Sequence, residues 1–135
     1  HPSEKSVHKD IISTISEKLK FNNLKILKKD SDIFTYISIC DSFITKFSTT
    51  GIEAISVGKP VIVFNSNKQT QRINYVEAGA AYTAHDVREL SRVLKYCINN
   101  PKDLDSQRKR FVRDYLYLMD GNSSKRAYKA IKKYL

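Results

Sequence analysis

Cysteine is scarce. Two residues, Cys40 and Cys97, cannot form a disulfide framework and read as reduced thiols inside a core. No apolar run approaches the roughly 18 residues of a membrane span. No charged-then-apolar signal segment opens the chain. Glycine and proline number only four and three, and there is no low-complexity tract, linker or internal repeat. Acidic residues are in deficit: 14 Asp+Glu stand against 24 Lys+Arg, for a formal net charge of +10.

What is present suits a soluble globule. The 135 residues are 41% hydrophobic and 28% charged, enough for one domain and too apolar for a disordered chain. The opening His1-Pro2-Ser3, without Met, suggests a piece cut from something longer, or a tag remnant. The basic surplus favours polyanions: nucleotide phosphates, nucleic acid or an anionic membrane face. It is uneven, since residues 101–135 hold ten Lys/Arg against four Asp/Glu. A solvated basic helix face is the plain reading of that excess.

Periodicity predicts the elements. Ile11, Ile12, Ile15 and Leu19 fall at helical spacing over Val7–Lys20, with Ser6 as N-cap. Leu24–Leu27 reads as a strand, Asp32–Ile39 as a short helix and Phe43–Thr45 as a buried strand. Ile52–Val57 reads as a helix stopped by Gly58. Val61-Ile62-Val63-Phe64 is a continuous apolar run, expected of a strand buried on both faces. Thr70–Ala78 is predicted helical, with Ile73, Val76 and Ala80 inward, and Ala80–Thr83 is a weak strand. Asp86 caps a helix over Val87–Asn99 with Leu90, Val93, Leu94 and Cys97 on one stripe. Another helix opens at Asp103 or Asp105 and reaches about Met119. Ser123 or Ser124 begins the last, carrying Ala127, Ala130, Ile131 and Tyr134.

Strands alternating with helices predict an α/β domain with a Rossmann-like, mostly parallel sheet of about four strands and helices on both faces. Ligands bind such sheets at the carboxyl ends of the strands. That singles out the loops after Leu27, Thr45 and Phe64. The most informative is Ser48-Thr49-Thr50-Gly51, which opens into a helix. Unpaired amides and the helix dipole attract an anion there, hydroxyls add donors, and a glycine lets phosphate approach. An ordinary helix cap would look the same. Glu53, one turn on, suits either dipole compensation or a pair of ribose hydroxyls.

The run Glu53-Ala54-Ile55-Ser56-Val57-Gly58-Lys59-Pro60 with its strand resembles the E-x4-G-x-P signature of GT-B glycosyltransferase C-terminal domains. Such segments occur in the lipid II N-acetylglucosaminyltransferase group. Asn74 to Ala81 resembles that family's N…EAGAA run. Asp120-Gly121-Asn122-Ser123-Ser124-Lys125-Arg126 is similar to a turn in UDP-GlcNAc 2-epimerases and CDP-glycerol transferases, and His1-Pro2 to a turn of the latter.

The resemblance implies half of a GT-B fold: a donor domain over residues 1–135, separated from an N-terminal partner domain and inactive alone. It implies a nucleoside diphosphate sugar, by expectation a UDP-sugar, as substrate, with no cofactor and no metal. Ser48, Thr49, Thr50 and Gly51 would hold the diphosphate and Glu53 the ribose. Gln69 and Gln71 would face the donor sugar, with Lys68 and Arg72 near phosphate. No catalytic residue is identified, since no nucleophile–base pair, carboxylate pair or metal cluster is evident. His8 and His85 read as structural or exposed. The expected location is the cytoplasm, with an anionic membrane surface as a candidate partner and nucleic acid not expected. The alternatives are a 2-epimerase-like or CDP-glycerol-type transferase domain, and a non-catalytic polyanion-binding module.

Overall fold

The computed structural model describes residues 6–28, 30–46, 48–68 and 73–134, with backbone alone for residues 6–9. The chain forms two compact units, residues 1–33 and 34–135.

The first unit is a helix and an irregular tail. Helix α1 spans Ser6–Lys18. It stops because Lys20 turns left-handed, at φ 52°. Phe21 N–H then reaches Ser16 O and Lys20 N–H reaches Glu17 O, which satisfies the last carbonyls. The strand expected at Leu24–Leu27 is not formed; residues 24–28 have no regular structure. The loop after Leu27 therefore does not follow a strand.

The second unit is a three-stranded parallel sheet in the order β1 (Phe43–Thr45), β2 (Val61–Phe64), β3 (Tyr82–Ala84). Phe43 pairs with Val61, and Ile62 with Tyr82. Around it lie α2 (Ile33–Ile39), α3 (Thr50–Ser56), α4 (Val87–Asn99), α5 (Asp105–Leu116) and α6 (Ser123–Ile131). A 3-10 turn, Lys132–Tyr134, follows α6. This is the expected α/β, Rossmann-like arrangement. Three strands, not four, are found among the described residues.

The period-2 alternation of β2 explains how both faces are covered. Val61 and Val63 enter one cluster with Ile37 of α2, Ile52, Ala54 and Ile55 of α3, Tyr75 and Phe111 of α5. Ile62 enters another with Ala84 and Cys97, flanked by Leu90, Val93 and Leu94 of α4. Burying each such Val or Ile contributes about 1.5–3 kcal/mol.

Local chemistry sets the ends. Gly58 sits at φ 78° just past α3; its N–H reaches Ile55 O and that of Lys59 reaches Ala54 O. Pro60 O then accepts from Phe43 N–H at 2.8 Å, starting the β1–β2 ladder. Asp86 caps α4, its carboxylate accepting from Glu89 N–H at 2.8 Å. Glu89 returns the contact, accepting from His85 N–H at 2.8 Å.

The helix expected over Thr70–Ala78 is not found among its described residues. Residues 73–80 make a tight turn in which Ala78 N–H reaches Asn74 O, while Tyr75 O accepts from both Ala80 and Ala81. Helix α5 ends at Leu116 rather than Met119, because Tyr117 takes φ 64°. Arg126 braces the turn that follows. It bridges both oxygens of Asp120, reaches Leu118 O and Ser123 Oγ, and lies 5.3 Å above the Tyr117 ring centre. No side chain of α6 is buried. Among the described residues, no helix is long and apolar enough to cross a membrane.

Candidate functional site

The loop after β1 stands at the carboxyl edge of the sheet. Strand β1 ends at Thr45, whose buried Oγ1 accepts from Ser48 N–H at 3.4 Å. Ser48 Oγ donates to Thr50 Oγ1 at 2.8 Å and accepts from Thr50 N–H at 3.2 Å. Gly51 N–H goes to Ser48 O and Ile52 N–H to Thr49 O. The first-turn amides are thus held by the loop itself, two of them by carbonyls and one by a hydroxyl. A hydroxyl partner can rotate away when a stronger acceptor arrives; a carbonyl in a tight turn cannot.

Gly51 is buried, and the room left by its missing Cβ is occupied. A Cβ there would lie 3.0 Å from Tyr75 Oη and 3.1 Å from Cζ. The Tyr75 phenol also reaches Ser48 O at 3.5 Å. Tyr75 is 2% exposed and packs edge-on against Phe111, so burial raises its pKa above that of an ordinary phenol. The glycine therefore serves side-chain packing on its Cβ side. The outward parts of the loop are the exposed Thr49 and the half-buried Ser48 and Thr50. Glu53 is exposed one turn further along α3.

The neighbouring edge loops are tied together. His85, directly after β3, contacts Asn65 O through Nδ1 at 2.9 Å. A carbonyl oxygen cannot donate, so Nδ1 is the donor in this contact. Lys68 is exposed in the loop after β2, at φ 50°. Gln69, Gln71 and Arg72, assigned to the donor sugar and phosphate, lie outside the described residues, as does His1. Ser48, Thr49, Thr50, Gly51 and Glu53 are brought together by one turn and one helix. Among the described residues no group of three or more His, Cys, Asp or Glu side chains is placed to hold a metal ion.

Sequence reasoning missed Tyr75. Its partners lie 24 to 27 positions upstream, and no periodicity links positions so far apart. Helical spacing had put Ile73 and Val76 inward; both are only partly buried, while Tyr75 is the deep residue.

A family model described as CDP-Glycerol:Poly(glycerophosphate) glycerophosphotransferase matches residues 5–133. That is a transferase family, and the match makes the chain a domain of the nucleotide-sugar or CDP-alcohol transferase kind. No curated protein and no solved structure matches the chain.

Proposed function

Because this chain belongs to the CDP-Glycerol:Poly(glycerophosphate) glycerophosphotransferase family, we propose that it is the donor-nucleotide domain of a glycerophosphotransferase. The observation that carries the reading is the reach of that match, from residue 5 to residue 133. The donor is a CDP-alcohol, bound at the carboxyl edge of the sheet, and the domain works beside an N-terminal partner of GT-B type.

In this reading an acceptor hydroxyl attacks the glycerol-bearing phosphorus. The new P–O bond forms as the pyrophosphate P–O bond breaks, CMP departs, and the hydroxyl proton passes to a base. Negative charge grows on the departing phosphate. Ser48 meets that charge by rotation: its O–H turns from Thr50 Oγ1 to a phosphate oxygen, and Thr50 N–H is released to the same anion. Both donors stand on the loop before the reaction and reach the anion by side-chain rotation, without backbone movement. Glu53, exposed on the first turn of α3, accepts from the two ribose hydroxyls.

Titration of the protein with CDP-glycerol, CDP, UDP and UDP-GlcNAc tests this. Cytidine ligands bind best, and Glu53→Ala weakens them by roughly 10–100-fold, the worth of hydrogen bonds to a charged group. Tighter binding of UDP-GlcNAc would overturn the CDP-alcohol assignment. Unchanged affinity in Glu53→Ala would remove Glu53 from the site.

A further inference from the structure

Asp120-Gly121 is the only place in the sequence where an Asp or Asn precedes glycine. Such a pair is a chemically weak point of a polypeptide. The amide nitrogen of the following residue can attack the side-chain carboxyl carbon, and a side chain on that residue obstructs the approach. Glycine has none. Here Gly121 is exposed at φ 69°, and a Cβ built on it would meet no atom within 4 Å. Gly121 itself therefore gives its amide no cover.

The cover comes from the carboxyl side. Both Asp120 oxygens accept from Arg126 Nη1, Oδ1 at 2.7 Å and Oδ2 at 2.9 Å. Oδ1 also accepts from Asn122 N–H at 3.0 Å. Bonds to both oxygens fix the plane of the carboxylate, and the Asn122 bond aims Oδ1 past Gly121 to the next amide. Attack needs the opposite: a carboxyl carbon free to swing onto the Gly121 nitrogen, and a protonated oxygen that can leave as water. Arg126 opposes the second requirement too. Its hydrogen bonds, then that of the Asn122 amide, keep the Asp120 carboxyl ionised down to about pH 2.

The same guanidinium has other attachments. Nη2 donates to Leu118 O at 3.3 Å, and the group lies 5.3 Å from the Tyr117 ring centre. No side chain of α6 is buried, so these bonds from one side chain tie the helix to the turn before it.

We propose that Asp120 is a latent isoaspartate site, kept closed in the folded chain by the clasp of Arg126 on its carboxylate. When the clasp opens, Gly121 N attacks Asp120 Cγ. The amide proton and the carboxyl hydroxyl leave together as water, and a five-membered succinimide forms. Water then reopens the ring. Opening at the side-chain carbonyl restores aspartate. Opening at the main-chain carbonyl leaves the chain running through Cβ and Cγ, with no overall change of mass. Isoaspartate adds one backbone atom to the turn and moves the carboxylate onto Cα, so Arg126 loses its partner and α6 its anchor. The inference is independent of the donor reading.

The test follows isoaspartate at residue 120 in the folded protein, in the protein held unfolded in urea, in Arg126→Ala and Arg126→Lys, and in a synthetic peptide of residues 114–125. All are aged at the same neutral pH and temperature. Electron-transfer fragmentation of the tryptic peptide 114–125 and methylation by an isoaspartate methyltransferase each measure the product. The peptide, the unfolded protein and Arg126→Ala are expected to isomerise at similar rates. Folded wild type should be slower by about tenfold or more, since each unit of lowered pKa removes about nine-tenths of the protonated carboxyl. Arg126→Lys, which keeps the charge and loses the guanidinium fork, should fall between. Circular dichroism and the melting temperature check that the variants are folded. Folded wild type isomerising as fast as the peptide would overturn the inference, and so would a folded Arg126→Ala that ages as slowly as wild type. Should Arg126→Ala not fold, Arg126→Lys takes its place, and a folded lysine variant as slow as wild type overturns the inference equally.

Discussion

Tyr75 Oη lies 3.0 Å from where a Cβ on Gly51 would stand, so the ring and the glycine fill one another's space. This contact joins the loop that carries the proposed anion site to the core cluster around Phe111. Gly51→Ala is expected to destabilise the protein by about 1–3 kcal/mol through overpacking. Tyr75→Phe removes the nearest atom but leaves Cζ at 3.1 Å, so relief is partial. The double variant should show a coupling of about 0.5 kcal/mol or more in urea unfolding. Strict additivity would mean that the two positions do not share this space.

Asp86 supplies the N-cap of α4 through Glu89 N–H. Replacing it with alanine strands that amide and should cost about 1 kcal/mol. Asp86→Asn should keep most of the stability, since the amide oxygen accepts equally. Urea midpoints of the two variants provide the comparison.

Burial pushes the Cys97 thiol up to about 11, with the nearby Arg108 charge acting in the opposite direction. Near pH 8 it should react with a disulfide reagent only when the core opens. Cys40 is half-buried and should label first. Mass spectrometry of timed labelling, with and without urea, separates the two. Fast native labelling of Cys97 would contradict its burial.

Arg126 beside Asp120, then the Asn122 amide, hold the Asp120 carboxyl down to about 2 from its ordinary 3.8. A depressed folded pKa means that the stabilisation is complete above about pH 4 and is lost as pH falls through 2. The stabilisation of the α5–α6 turn should therefore decline between pH 4 and 2, as the pH falls toward the lowered Asp120 value. Arg126→Ala should return the Asp120 titration to the ordinary range. A carbon-detected NMR titration of Asp120 in both proteins decides it.

The legible parts of the fold were those fixed by neighbouring residues. Val61–Phe64 could be read as a strand buried on both faces because four apolar residues in a row leave no solvent side. Gly58 and Asp86 act within a few positions of themselves, and both behave as their residue types demand. The stretch at Leu24–Leu27 failed because a short apolar run becomes a strand only when another strand pairs with it, and pairing is not written locally. The Thr70–Ala78 stretch failed over its described part because Tyr75 is drawn toward Gly51 and its carbonyl collects two amides, ending the turn early. In the site, the Ser48–Gly51 loop and its helix were visible from the residues. The packing of Tyr75 against Gly51 was not, since it joins positions that only the tertiary fold brings together.

Strand β2 has a consequence for how the domain comes apart. Its odd-numbered residues answer to the α3–α5 layer and its even-numbered ones to α4. The two apolar clusters lie on opposite faces of this ribbon. Peeling α4 away would strip Ile62 yet leave Val61 and Val63 covered. Amide exchange should therefore release the α4 layer as one cooperative block, with the β2 amides among the last to trade their hydrogens.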